Sequence, residues 1–191
     1  MTLFLKGLSV VAGGVLLGLF VTWLTIVRGA GMGGDVTDGP WRTSLLTGST
    51  EGGMALRATI ALHGLFALNR HETIYYTATT DSAGKKLDGA CRYTITGRDL
   101  PARWWSITAY GADDFLIANK FQRYSVSKTS VVRGADGRFT VTASEDASAA
   151  NQVATGDGAF SLTLRLYNPD PSVADDPAHV ALPEIRESGC P

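Results

Sequence analysis

The sequence is poor in the residues that hold metals and drive covalent chemistry. Its 191 residues include two cysteines and three histidines, too few and too scattered for a metal-rich module. Neither His-x-x-x-His nor paired Cys-x-x-Cys spacing occurs. His63 sits in an apolar helical run and His71 and His179 in loops, so no Ser-His-Asp order is legible and His63 reads as a packing residue. Charge is sparse too. The formal net charge is −1, and without the first 28 residues, which carry Lys6 and Arg28, 15 basic residues face 18 acidic ones. A mildly acidic remainder has no electrostatic reason to seek nucleic acid or anionic lipid. Strand–helix–strand alternation is missing, which argues against a parallel nucleotide-binding sheet. The expectation is therefore no metal, no cofactor and no nucleic acid.

The amino terminus is rich in what the rest lacks. Gly7 to Val27 runs 21 residues without a charge, and at about 1.5 Å per residue makes a helix of roughly 31 Å, enough to cross a bilayer core of about 30 Å. A cleaved signal peptide usually has a shorter apolar region of about 7–15 residues. Length, together with Trp23 as an interfacial anchor, favours an uncleaved span over residues 1–28. The slight positive-inside bias puts the amino terminus in the cytoplasm, and so the expected location is the inner membrane with the domain on the periplasmic side. Residues 29–40 read as a flexible glycine-rich tether. Gly29 to Gly34 formally matches G-x-G-x-x-G, but follows a span and not a strand, so it carries no nucleotide expectation.

Residues 41–191 then form one domain, a size that suits a single core. Trp41 to Glu51 carries turn residues, with Ser49 and Thr50 as N-caps. Gly48 to Gly52 resembles a nucleophile elbow only superficially, since its centre is Thr50. Gly53 to Leu68 recurs apolar at helical spacing and predicts one amphipathic helix laid against a sheet. After it the period becomes two. Strands are expected at 73–79, 91–96, 103–110, 115–117, 125–132, 138–144, 160–167 and 181–188, with Gly134–Gly137 as a hairpin turn and loops at 145–158 and 168–177. Phe160, Leu162, Leu164 and Leu166 alternate with Ser161, Thr163, Arg165 and Tyr167. Short strands joined by tight turns, each with one apolar face, indicate a mostly β fold, an antiparallel β-sandwich with one amphipathic helix.

Cys91 has the inward parity of Tyr93 and Ile95, and Cys190 is the penultimate residue. In a cytosolic chain they would read as two unrelated thiols. A domain outside the membrane favours a Cys91–Cys190 disulfide pinning the last strand to the sheet.

Between Cys91 and Val131 aromatics mix densely with polar groups of fixed geometry. Trp105-Ser106-Ile107-Thr108-Ala109-Tyr110, Phe115-Leu116-Ile117-Ala118-Asn119, Arg123-Tyr124-Ser125 and the later Gly158–Pro171 stretch together resemble the bacterial family called domain of unknown function 1214, in its short, membrane-anchored form. The resemblance runs from about Thr73 onward and implies a sandwich of jelly-roll type in the cell envelope; it implies no activity. One departure is the turn Gly111-Ala112-Asp113-Asp114, where the family more often has an acidic residue first and glycine fourth.

Three roles compete for this stretch. The aromatics can be core and rim, with Asn119 and Arg123 tying down a turn. They can be a ligand site, with Trp104, Tyr110, Asn119, Arg123 and Tyr124 offering stacking rings and fixed donors to a carbohydrate or amphipathic molecule. Or residues 103–125 can border an envelope enzyme's site for a carbohydrate or lipid-like substrate. Asp113 and Asp114 are adjacent, so their carboxylates diverge and do not flank one bond as a glycosidase pair would. The expectation is a non-catalytic binding or scaffolding module, its partners the membrane, a small ligand or another envelope protein.

Overall fold

The computed structural model describes residues 2–27, 35–62 and 67–190. The apolar N-terminal run is helix α1, Thr2–Thr22, continued by a wider π-helical turn, Trp23–Val27. Phe4–Ile26 is long and apolar enough to cross a bilayer, as an anchor or a signal sequence would be. Trp23 stacks on Phe20 near its far end, with ring centroids 6.3 Å apart.

Beyond it the chain is mostly β, two sheets packed face to face. Among the described residues there are ten strands and two more helices: β1 Asp35–Asp38, β2 Trp41–Ser44, α2 Met54–Leu62, β3 Thr73–Ala78, β4 Arg92–Gly97, β5 Ala102–Gly111, β6 Ser125–Ser127, β7 Phe139–Ser144, β8 Gln152–Ala154, β9 Phe160–Pro169, α3 Pro171–Asp175 and β10 Glu184–Gly189. One sheet has the order β1-β2-β3-β9-β5-β6 and the other β10-β4-β7-β8. The period-two pattern decides which side chains meet between them. Leu162, Leu164 and Leu166 of β9, Ile74 and Tyr76 of β3, and Trp105 and Ile107 of β5 face Tyr93, Ile95, Phe139, Val141 and Ile185 of the second sheet, all buried. Edge-on Tyr93–Phe160 contact joins the layers, with centroids 5.7 Å apart.

Several expectations are corrected by pairing that local pattern does not reveal. Residues 35–40, read as tether, include β1 and the turn of a hairpin with β2, closed through Gly39 at φ 55°. The 41–51 stretch, read as turn, begins with β2. Trp41 earns that strand by burying its ring and donating Nε1–H to the Pro183 carbonyl at 2.7 Å. The loop at 145–158 contains β8, which pairs parallel to β7, so the second sheet is mixed and not wholly antiparallel. The loop at 168–177 contains α3, with Pro171 at its start. Residues 115–117 make only an isolated bridge, Tyr110 to Leu116.

The turn at Gly134–Gly137 does form, with Gly134 N–H donating to the Arg138 carbonyl at 2.8 Å. Its flanking strands, however, part: β6 joins β5 and β7 joins β4, so the turn belongs to a crossover between sheets. The helix expected over 53–68 is observed as Met54–Leu62, starting later than the Ser49 and Thr50 caps imply; residues 63–66, His63 among them, lie outside the described residues. Leu56 is its buried residue, and the helix meets the π-helical turn Trp23–Val27 through Thr59 Oγ1, which donates to the Ile26 carbonyl at 3.3 Å.

The β4–β5 and β6–β7 connections, each passing from one sheet to the other, converge on Asp99. Its carboxylate accepts from Trp105 Nε1 at 2.8 Å and Arg133 Nη2 at 3.0 Å, with Lys128 Nζ at 3.2 Å. Burial pushes this carboxyl up, but the bonds from Trp105, Lys128 and Arg133 outweigh it and hold Asp99 below the usual carboxylate range. Cys91 and Cys190 are disulfide-bonded, Cα atoms 4.2 Å apart, across the β4–β10 pair.

Two outcomes follow. Reducing the disulfide, or replacing Cys190 by serine, should lower stability by roughly 4–5 kcal/mol on the chain-entropy account of so long a loop, read by urea unfolding with and without reductant. Because the folded carboxyl of Asp99 titrates below its unfolded value, its stabilisation is present above about pH 4 and lost as pH falls through the folded value. Asp99→Asn should therefore be less stable than wild type at pH 7, by about 1 kcal/mol given its solvent screening, and the two should converge in acid.

Candidate functional site

The outer face of the six-stranded sheet gathers the aromatics. Since side chains alternate, burying Trp105, Ile107 and Ala109 sends Trp104, Ser106, Thr108 and Tyr110 of β5 the other way. Register then builds rows across the strands. Thr73, Tyr167 and Trp104 share one row; Tyr75, Arg165, Ser106 and Ser127 the next; Thr77, Thr163, Thr108 and Ser125 the third. Trp104 leans on Tyr167 with ring centroids 5.2 Å apart and donates Nε1–H to Thr129 Oγ1 at 3.4 Å.

Arg165 organises the centre. Its Nη2 donates to the Tyr110 hydroxyl at 2.7 Å, while the guanidinium carbon stands 5.3 Å from the Tyr110 ring and 5.9 Å from the Tyr75 ring. To reach Tyr110, which pairs with Ser161, the arm of Arg165 crosses the Thr163–Thr108 row. Ser106, Thr108 and Thr163 are buried, while the rings and the guanidinium around them are half-buried. Burial pushes the Tyr75 phenol above its ordinary range, so it stays a neutral hydroxyl. The result is a floor of short hydroxyls with walls of aromatic ring and one planar cation. Such a surface can stack rings and select orientation. None of β3, β5 and β9 contributes a carboxylate or imidazole to it.

The five residues singled out in the sequence are not one cluster. Trp104 and Tyr110 share a face but stand six residues apart, about 20 Å along the strand. Asn119 is a bracket within the 112–124 loop: its Nδ2 donates to the carbonyls of Ile117 and Arg123 at 3.1 and 3.2 Å, and its Oδ1 accepts from Arg123 N–H at 2.9 Å. Arg123 is exposed and Tyr124 half-buried just before β6. Asp113 Oδ1 accepts from Phe115 N–H at 3.1 Å, and Asp114 sits at φ 64°, the left-handed position where the family's glycine would be relaxed. Sequence reading missed Arg165, Tyr75 and Tyr167 as site residues. Their outward parity was the available signal; that they converge depends on β9 lying between β3 and β5.

Two other features compete less well. A shallow concavity of about 660 Å³ on the second sheet is lined by Thr96, Arg133, Arg138, Thr140, Glu184 and Arg186, among others. Two of its arginines are paired within the protein, Arg133 with Asp99 at 3.0 Å and Arg186 with Glu184 at 2.7 Å. Cys91, Cys190 and Glu187 have ligand atoms within 4.8 Å of one another, but the two sulfurs are bonded to each other and do not ligate as thiolates.

Because Asn119 brackets the loop with three hydrogen bonds to backbone, Asn119→Ala should release residues 117–124. Amide hydrogen exchange there should accelerate at least fivefold, with global stability falling by about 1 kcal/mol.

Comparison with known proteins agrees with the fold. The crystal structure of the VPA0106 protein from Vibrio parahaemolyticus superposes with a TM-score of 0.63 at 21% identity, covering 96% of this chain and 46% of that one. The chain thus spans less than half the length of that relative. A crystal structure of an uncharacterized protein from Burkholderia cenocepacia gives a TM-score of 0.42 at 19% identity, covering 61% of this chain and 29% of that one. No curated protein matches. Residues 72–171, which run from the start of β3 through β9 and so hold the whole aromatic face, match the family described as protein of unknown function (DUF1214), and the chain belongs to that family.

Proposed function

We propose that this protein is a non-catalytic binding module of the cell envelope, held in the inner membrane by α1 with a jelly-roll-type sandwich on the periplasmic side. The ligand is a carbohydrate or similar amphipathic molecule, received on the outer face of the six-stranded sheet. One observation carries the reading: a guanidinium between two tyrosine rings above a floor of buried hydroxyls, with a tryptophan–tyrosine pair one row along. Aromatic rings accept the apolar faces of sugar rings, and the hydroxyl floor and Arg165 supply donors at fixed positions. The length of the face, about 20 Å from Trp104 to Tyr110, suits a chain of several sugar units better than one.

The chemistry of that face supports binding over turnover. Glycoside cleavage in most families uses two carboxylates astride the bond, whereas the outward ionisable side chains of β3, β5 and β9 are tyrosines and Arg165, and Arg42 of β2 continues the Thr77 row.

The test is calorimetric titration of the full chain in nanodiscs with neutral and acidic envelope oligosaccharides, backed by thermal unfolding. Saturation at about 100 times the dissociation constant should add about 2.7 kcal/mol to the folded state. Trp104→Ala should weaken binding roughly fivefold to tenfold, as loss of one stacking ring implies, and Trp104→Phe should restore part of it. Equal affinity in wild type and Trp104→Ala, or no binding by any glycan, rejects the assignment; crosslinking to a resident envelope protein in the latter case would replace it with a scaffold.

A further inference from the structure

Helix α2 turns an apolar side outward. Its sequence is MALRATIAL over Met54–Leu62. At 100° per residue, Leu56 and Ile60 point to one side, with Thr59 at its edge, and Met54, Ala58, Ala61 and Leu62 to the other. Leu56 is buried, whereas Met54 is 89% and Leu62 68% exposed. The one charged residue, Arg57, is turned back on the chain. Its Nε donates to the Gly52 carbonyl and its Nη2 to the Thr50 carbonyl, each at 3.2 Å. An apolar helix face belongs in a protein core or against an apolar neighbour such as lipid, and the side of α2 that carries Met54, Ala61 and Leu62 is not in the core.

Its position decides what covers it. Thr59 Oγ1 donates to the carbonyl of Ile26, the last residue of the apolar span, at 3.3 Å. The helix therefore sits at the level where the span ends, beside Trp23, a residue type that settles at the bilayer–water boundary. Continuity with that span makes lipid the occupant.

We propose that α2 lies in the outer-leaflet interface of the membrane, inserting Met54 and Leu62 among the acyl chains, and so seats the sandwich against the bilayer at the β3 end. The proposal rests on α1 being a retained anchor. Insertion is driven by apolar area and not by charge, since the domain is mildly acidic and Arg57 is engaged by its own loop. The opposite end of β3, with the 80–86 turn, then points away from lipid.

The native cysteines are paired, so one introduced thiol can be labelled alone. Full-length Met54→Cys, Leu62→Cys and, as a distal control, Lys86→Cys, each carrying an environment-sensitive dye, are reconstituted in phosphatidylcholine nanodiscs whose lipids bear a quencher high on the acyl chain. Dyes at 54 and 62 should be quenched at least threefold more than at 86, equally so with anionic lipid added and in 1 M salt. Equal quenching at all three positions, in protein that resists carbonate extraction, overturns the seating of α2 while leaving the anchor standing. A mature protein whose amino terminus lies beyond residue 28 overturns both. Dye protection that is insensitive to lipid quencher and accompanied by α2–α2 crosslinks overturns it in favour of contact with a second copy.

Discussion

The buried indole of Trp105 is the interaction on which the two sheets depend. Its ring is fully buried and lies 4.9 Å from that of Phe139, so β5 of one sheet is packed on β7 of the other. Its Nε1–H reaches the Asp99 carboxylate in the crossover between β4 and β5. Asp99 in turn holds Lys128 and Arg133 in the crossover between β6 and β7. One side chain thus joins the apolar contact between layers to the polar tie between both connections. Burying an indole leaves its N–H needing an acceptor, and here that need fixes the path of two loops.

The candidate binding face follows from the same burial. Two sheets that bury alternate residues between them must turn the others outward, and on β3, β5 and β9 those others are rings, hydroxyls and Arg165. Arg165, with Nη2–H donated to the Tyr110 hydroxyl and its guanidinium carbon 5.3 and 5.9 Å from two tyrosine rings, loses much of its freedom. It is therefore a pre-organised donor. Nearby, Asn119 keeps the 112–124 loop at the edge of the face by satisfying backbone groups that would otherwise be unpaired.

At the other end of β3 the chain solves a different problem. The segment between β2 and β3 carries α2, whose outward side, Met54 and Leu62, is apolar and exposed, and an exposed apolar surface of this kind marks an interaction site. The aromatic face and the apolar helix are distinct surfaces, made by side-chain parity in one case and by proximity to the span in the other.

Much was legible in one dimension because its causes are local. A long apolar run without charge predicts a helix of membrane length from composition alone, and Phe4–Ile26 is one. Strict alternation in β9, inward leucines against outward polar groups, follows from the period of an extended chain, and the parity of Cys91 with Tyr93 and Ile95 marked it as able to meet a partner from the last strand. The fourth residue of the 111–114 turn showed its significance only as a departure from a family pattern, later explained by a left-handed backbone. What the sequence could not decide is which strands neighbour which. β1, β2 and β8 are three or four residues long and too short for a period to show, so partners and burial make them strands. Strands flanking one tight turn went to different sheets because the core, not the turn, chose their pairing. Arg165 looked like any outward residue until the register of β9 between β3 and β5 set Tyr75 and Tyr110 beside it. Periodicity is a property of the chain, whereas adjacency is a property of the fold.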